Sequence, residues 1–125
     1  MEGLAVEAAP HPQAQEITVL SLKGDIDTLT APVFEKKLIS TLQEKKFKLV
    51  VDLSGVAYVS SAGWGIFISQ IRQIRGQKGD MVFACMRPEV MEVYELLEFN
   101  IIFKAFPSVP EAVEKAFGRS FLSQQ

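Results

Sequence analysis

Short β-rich apolar runs alternate with stretches of helical period along almost the whole chain, and a chain patterned this way has few ways to fold. Glu16 to Lys23 (EITVLSLK) reads as a strand through Ile17, Val19 and Leu20. Phe47 to Leu53 (FKLVVDL) and Asp80 to Met86 (DMVFACM) are more uniformly apolar, as strands covered on both faces are. Ile101 to Phe103 predicts a further short strand. Helical patterns fall between them. Val33, Phe34, Leu38 and Leu42 recur near helical spacing in a helix beginning at Thr28, with Pro32 in its first turn. Its end, Glu44 to Lys48, reads as a solvated face. Ser61 to Arg75 predicts a second helix, closed by the loop Gly76 to Gly79. Arg87-Pro88 opens a third, running to about Glu98. Ser108, with Glu111 three residues on, forms a capping box ahead of Ala112, Val113, Ala116 and Phe117.

This order predicts an α/β domain: a mixed central sheet of four to five strands with about four helices. Residues 1–118 make up that domain and residues 119–125 a C-terminal tail. Ala8 to Gln15 (AAPHPQAQ), with two prolines and no bulky apolar group, reads as a loop.

Composition narrows the chemistry. The single cysteine, Cys85, and single histidine, His11, speak against a thiolate metal cage and against histidine-based triads. Thirteen basic against fifteen acidic residues leave no overall electrostatic footprint for nucleic acid. The N-terminus shows no secretory pattern, and no apolar run reaches membrane-spanning length, so a cytoplasmic setting without membrane insertion is expected. Cys85, within an apolar run, reads as a small buried hydrophobe. Gly63-x-Gly65 lacks both the third glycine of a dinucleotide loop and the lysine of a P-loop, so no nucleotide cofactor is expected.

The informative stretch runs from Val51 to Gly65 (VDLSGVAYVSSAGWG): a buried strand ends, and two serines stand where the next helix begins. Either Ser60 or Ser61 can cap that helix, whose free N–H groups and dipole also make it a favourable place for an anion. Upstream, Asp25 and Asp27 flank Ile26 just after a strand. Turn formation or capping suits these two carboxylates better than acid–base catalysis, for which no apolar cleft or partner group is apparent.

Asp52-Leu53-Ser54, followed by Tyr58-Val59-Ser60-Ser61-Ala62-Gly63-Trp64-Gly65, resembles the signature of STAS domains, the anti-sigma factor antagonist family. Gly24-Asp25-Ile26-Asp27-Thr28 is similar to that family's first turn, and the order of elements matches from about Leu4 to Phe117. The resemblance implies a protein-binding switch rather than an enzyme. Unphosphorylated, such proteins bind an anti-sigma factor serine kinase and free its sigma factor. Phosphorylated, they let go until a PP2C-type phosphatase resets them. The resemblance places the phosphate on Ser61, with Ser60 as the alternative. It places the Asp25–Thr28 turn beside the Ser61 loop, as part of the partner surface. Two departures stand out: Ser60 replaces the family's usual Asp, and Trp64 its usual Leu. A second implied role, that of an unmodified scaffold or subunit of a regulatory or transport complex, would leave both serines as caps only.

Along the second helix, Trp64, Phe67, Ile68, Ile71 and Ile74 form the expected core stripe. Ile66 falls on the opposite face with Ala62, Ser69 and Gln73, and is expected to be an exposed anchor for a partner. The expected partner surface is therefore Asp25, Asp27, Thr28, Ser60, Ala62, Gly63 and Ile66.

Overall fold

The computed structural model describes residues 3–118. Its elements, in chain order, are β1 (Ala5–His11), β2 (Ala14–Lys23), α1 (Ala31–Gln43), β3 (Lys48–Gly55), α2 (Ser61–Gly76), β4 (Asp80–Ala84), α3 (Pro88–Leu96), a 3-10 turn (Phe99–Ile101), β5 (Ala105–Phe106) and α4 (Val109–Phe117). The five strands form one sheet in sequence order. β1 runs antiparallel to β2, and the remaining neighbours are parallel. Each parallel pair needs a crossover, and α1, α2 and α3 supply them.

Alternation along β3 sorts the core into two. Leu49, Val51 and Leu53 face the layer of α1, α2 and α3, where Phe34, Leu38, Trp64, Phe67, Val90 and Tyr94 pack on them. Val50 faces the other way, with Ile17, Val82 and Ala84, and α4 covers these with Ala112 and Val113. An aromatic cluster welds the first layer to the sheet. Phe67 meets Phe34 at 5.0 Å and Phe83 at 4.8 Å, and Phe83 meets Phe103 at 5.1 Å between ring centroids. Full burial of each such ring contributes about 1.5–3 kcal/mol.

The segment expected as a loop at Ala8 to Gln15 is instead the turn end of a β-hairpin, with the last residues of β1 and the first of β2. Pro12 and Gln13 make its two-residue turn, and Pro10 sits on an edge strand, where a missing N–H disrupts no further ladder. Val6 and Ala8 point inward against the first core. His11 closes β1 largely buried, its Nδ1 accepting from the Gln13 N–H at 3.2 Å.

The expected strand at Ile101 to Phe103 is likewise displaced. Glu98 adopts the left-handed conformation (φ 58°), the chain tightens into the 3-10 turn, and pairing to β4 begins only at Ala105. Phe103 is buried, and its carbonyl accepts from the Tyr94 hydroxyl at 2.5 Å. β4 stops at Ala84 rather than Met86, because Cys85 turns to φ 63°. The expected C-terminal tail at 119–125 lies outside the described residues.

Candidate functional site

The first helix starts at Ala31, three residues later than its periodicity suggests, because Asp27 builds a turn ahead of it. Its Oδ1 accepts from the N–H groups of Leu29 and Thr30, both at 2.9 Å. The Thr30 hydroxyl accepts from the Asp27 N–H and donates to the Asp25 carbonyl at 2.7 Å. Hydrogen bonds from the Thr30 backbone, foremost, hold the Asp27 carboxyl below its usual pKa despite some desolvation. Asp27 is thus a turn-forming carboxylate.

That turn is fastened to the segment leading into α2. Ile26 and Val59 form a parallel bridge. The Ile26 N–H donates to the Tyr58 carbonyl at 2.9 Å, and the Ser60 N–H donates to the Ile26 carbonyl at 2.7 Å. Gly24, at φ +116°, donates to the Gly55 carbonyl at 3.0 Å. A Cβ there would stand 2.8 Å from the Gly3 carbonyl oxygen. The Asp25–Thr28 turn therefore lies beside the entrance to α2.

At that entrance the two serines part ways. Ser60 is the N-cap, 8% exposed, and its hydroxyl accepts from the Gly63 N–H at 3.2 Å. Ser61 is the first helical residue and is exposed, as is Ala62. The first turn of α2 carries no acidic residue, so the positive end of a 16-residue helix is not neutralised by its own side chains. Ser61 presents a hydroxyl to solvent at this point.

Gly63 is buried. A Cβ on it would lie 2.7 Å from Ile26 Cγ2 and 2.9 Å from Val59 Cγ1, so glycine is what lets α2 approach the bridge. Ile66 shares that face one turn on and is covered with it, only 8% exposed. This corrects the expectation of an exposed Ile66. Ile68, expected in the core stripe, is 40% exposed. Seven residues beyond Ser61, it shares that serine's face. The exposed isoleucine on the Ser61 face is Ile68, while Ile66 joins the buried cluster that includes Ile26 and Val59. Simple helical periodicity does not register those neighbours.

Trp64 is buried as expected, stacked at 4.8 Å on Phe99, although its indole N–H has no partner among the described residues. Two exposed apolar side chains near the entrance escaped the sequence reading: Leu29, beside Asp27, and Tyr58, two residues before Ser60. The bracketing of Tyr58 by buried Val56 and Val59 does not signal its exposure.

Cys85 is half-buried; burial first, and the Asp52 carboxylate second, push its thiol above the usual range. Among the described residues, no group of three or more His, Cys, Asp or Glu side chains is placed to hold a metal, and no helix is long and apolar enough to cross a membrane.

The family model for the STAS domain matches residues 8–112. A protein of Bordetella bronchiseptica, BtrV, described as an anti-sigma factor antagonist, is 30% identical over 99 residues, which cover 79% of this chain and 84% of that protein. The anti-sigma-B factor antagonist of Bacillus subtilis is 26% identical over 77 residues, 62% of this chain and 70% of that one. A Thermotoga maritima structure described as an anti-sigma factor antagonist superposes with a TM-score of 0.80 at 19% identity, covering 88% of this chain and 92% of that one. With its five-stranded mixed sheet, four helices and serine-capped α2, the chain belongs to the STAS domain family of anti-sigma factor antagonists.

Proposed function

We propose that this chain is a phosphorylation-gated binding switch in the bacterial cytoplasm. In this reading it captures an anti-sigma factor serine kinase, so that a sigma factor is released, and it acts as the kinase's substrate and ligand rather than as an enzyme. Ser61 is the phosphate acceptor, and a PP2C-type phosphatase restores the binding form. The observation that carries the reading is the division of labour between the serines: the Ser60 hydroxyl is engaged as a cap and buried, while the Ser61 hydroxyl is exposed on the same helix end.

The physics of such a switch is local. A phosphate adds roughly 1.5–2 negative charges at neutral pH. On Ser61 of the free protein it would sit at a helix N-terminus that tolerates an anion. In a dry interface the same dianion, unpaired, costs several kcal/mol, enough to dissociate a partner. The partner surface in this reading comprises Asp25, Asp27 and Thr28 of the first turn, with Ser61, Ala62 and Ile68 on α2. Ser60 and Gly63 support it from beneath.

Peptide mapping of the protein isolated from its native host, across growth conditions, tests the acceptor. Capture assays with wild type, Ser61→Ala and Ser61→Asp test the gate. The expected result is phosphate on Ser61, with a partner held by wild type and Ser61→Ala but lost by Ser61→Asp. Phosphate on Ser60, or no modification together with a partner retained by Ser61→Asp, would overturn the reading.

A further inference from the structure

The surface of α3 and the turn after it is not used by the Ser61 switch, and it is unusual on two counts. First, it is apolar where it should be wet. Leu96 and Ile101 are each 76% exposed, Leu97 53% and Val93 37%. Val93, Leu96 and Leu97 share one face at i, i+3 and i+4, and Ile101 follows on the 3-10 turn packed against α3. Scattered exposed leucines are ordinary, but a contiguous group of this kind marks an interaction site. Second, its own side chains carry only negative charge; Arg75 reaches its edge from α2, donating to the Ile102 carbonyl, and is paired there with Asp80. Glu89, Glu92, Glu95 and Glu98 are all exposed, and no lysine or arginine occurs from Pro88 to Phe103.

We propose that this surface docks a cationic amphipathic helix of a protein partner, with its apolar stripe on Leu96, Leu97 and Ile101 and its lysines or arginines against the glutamates. The charge selects the occupant. An apolar stripe rimmed by carboxylates complements a helix that carries basic residues beside its apolar face. The same carboxylates repel an anionic lipid surface. They also repel a second copy of the same face, which disfavours a symmetric dimer. The docking residues Leu96, Leu97 and Ile101 include neither Ser61 nor its turn, so in this proposal a partner stays tethered while the Ser61 contact opens and closes.

The test titrates the 125-residue chain with a synthetic 18-residue Leu/Lys amphipathic helix and with its Leu/Glu counterpart, using backbone amide shifts to locate binding. The Leu/Lys peptide is expected to perturb residues 89–101 and to weaken about tenfold when salt rises from roughly 50 to 500 mM; the Leu/Glu peptide should not bind. Leu96→Ser/Ile101→Ser, both at exposed positions, should weaken binding at least about tenfold with unchanged thermal unfolding. Glu92→Lys/Glu95→Lys should reverse the preference between peptides. Ser61→Asp should bind the Leu/Lys helix as wild type does, which separates failure here from failure of the switch. The proposal is overturned if the peptide does not bind or binds elsewhere, or if Leu96→Ser/Ile101→Ser leaves binding unchanged. It is equally overturned if that variant instead abolishes self-association in sedimentation, or binding to phosphatidylcholine/phosphatidylglycerol vesicles.

Discussion

Replacing the two adjacent serines one at a time separates the capping serine from the exposed one by stability alone, without any partner. In Ser60→Ala the hydroxyl that accepts from the Gly63 N–H at 3.2 Å is lost. Because Ser60 and Gly63 are both buried, water cannot readily take its place. Loss of an N-cap costs about 0.5–2 kcal/mol, and the buried position places this one in the upper half, at about 1–2 kcal/mol. Ser61→Ala removes an exposed hydroxyl at the first helical position and substitutes a better helix former, so its effect should lie within about 0.5 kcal/mol of zero. Ser61→Asp places a carboxylate on a helix end that has no acidic residue in its first turn, and should stabilise by about 0.3–1 kcal/mol. For a chain of this length, a kcal/mol corresponds to about 3–5 °C in Tm. Thermal and urea unfolding followed by circular dichroism should therefore rank Ser61→Asp above wild type and Ser61→Ala, with Ser60→Ala several degrees below. Added salt should shrink the Ser61→Asp gain and leave the Ser60→Ala loss. A silent Ser60→Ala, or a Ser61→Ala as damaging as Ser60→Ala, would refute the assignment of Ser60 as the cap and Ser61 as the exposed serine.

The two glycines of the same turn should respond with opposite signs. Gly65→Ala meets no atom within 4 Å and should stabilise by about 0.5–1 kcal/mol through helix propensity, whereas Gly63→Ala drives a methyl into the stiff side chains of Ile26 and Val59 and should destabilise by about 1–2 kcal/mol in the same unfolding assays. His11 has its pKa lowered by burial, so the unfolded chain binds the proton more readily. Stability should fall as pH drops below about 6.5, and His11→Gln should flatten urea midpoints measured between pH 7 and 5. The Cys85 thiol, raised by burial and by Asp52, should react with a disulfide reagent at pH 8 more slowly than a free cysteine, and Asp52→Asn should narrow that gap.

Legibility in the sequence followed the range of the interaction. The apolar runs around Leu49–Leu53 and Met81–Ala84 announce themselves as buried strands because both faces are covered, and the Ser108 cap with Glu111 marks the start of α4 within four residues. β1 was hidden because its strand character does not reside in its own residues. Pro10, Pro12 and the lack of a bulky apolar group argue for a loop, and only pairing with β2 along the sheet edge makes Ala8 to His11 a strand. The 3-10 turn after α3 was hidden for a similar reason. Ile101 and Ile102 favour a strand locally, but Phe99 seated on Trp64 and the left-handed Glu98 bend the chain first.

By itself the sequence determined the α/β order, the placement of a Ser-Ser pair at a helix start, and the turn chemistry of Asp27. These depend on periodicity and on neighbours a few residues away, which the order of the residues carries by itself. Only the tertiary structure decided which serine caps and which faces solvent, and that Ile68 rather than Ile66 shares the exposed face. Only it decided, too, that Leu96 and Ile101 are left bare among glutamates. Those outcomes depend on what packs against each helix from elsewhere in the chain. At Ser60 and Gly63 the neighbour is the Ile26–Val59 bridge, formed by residues more than thirty apart in sequence.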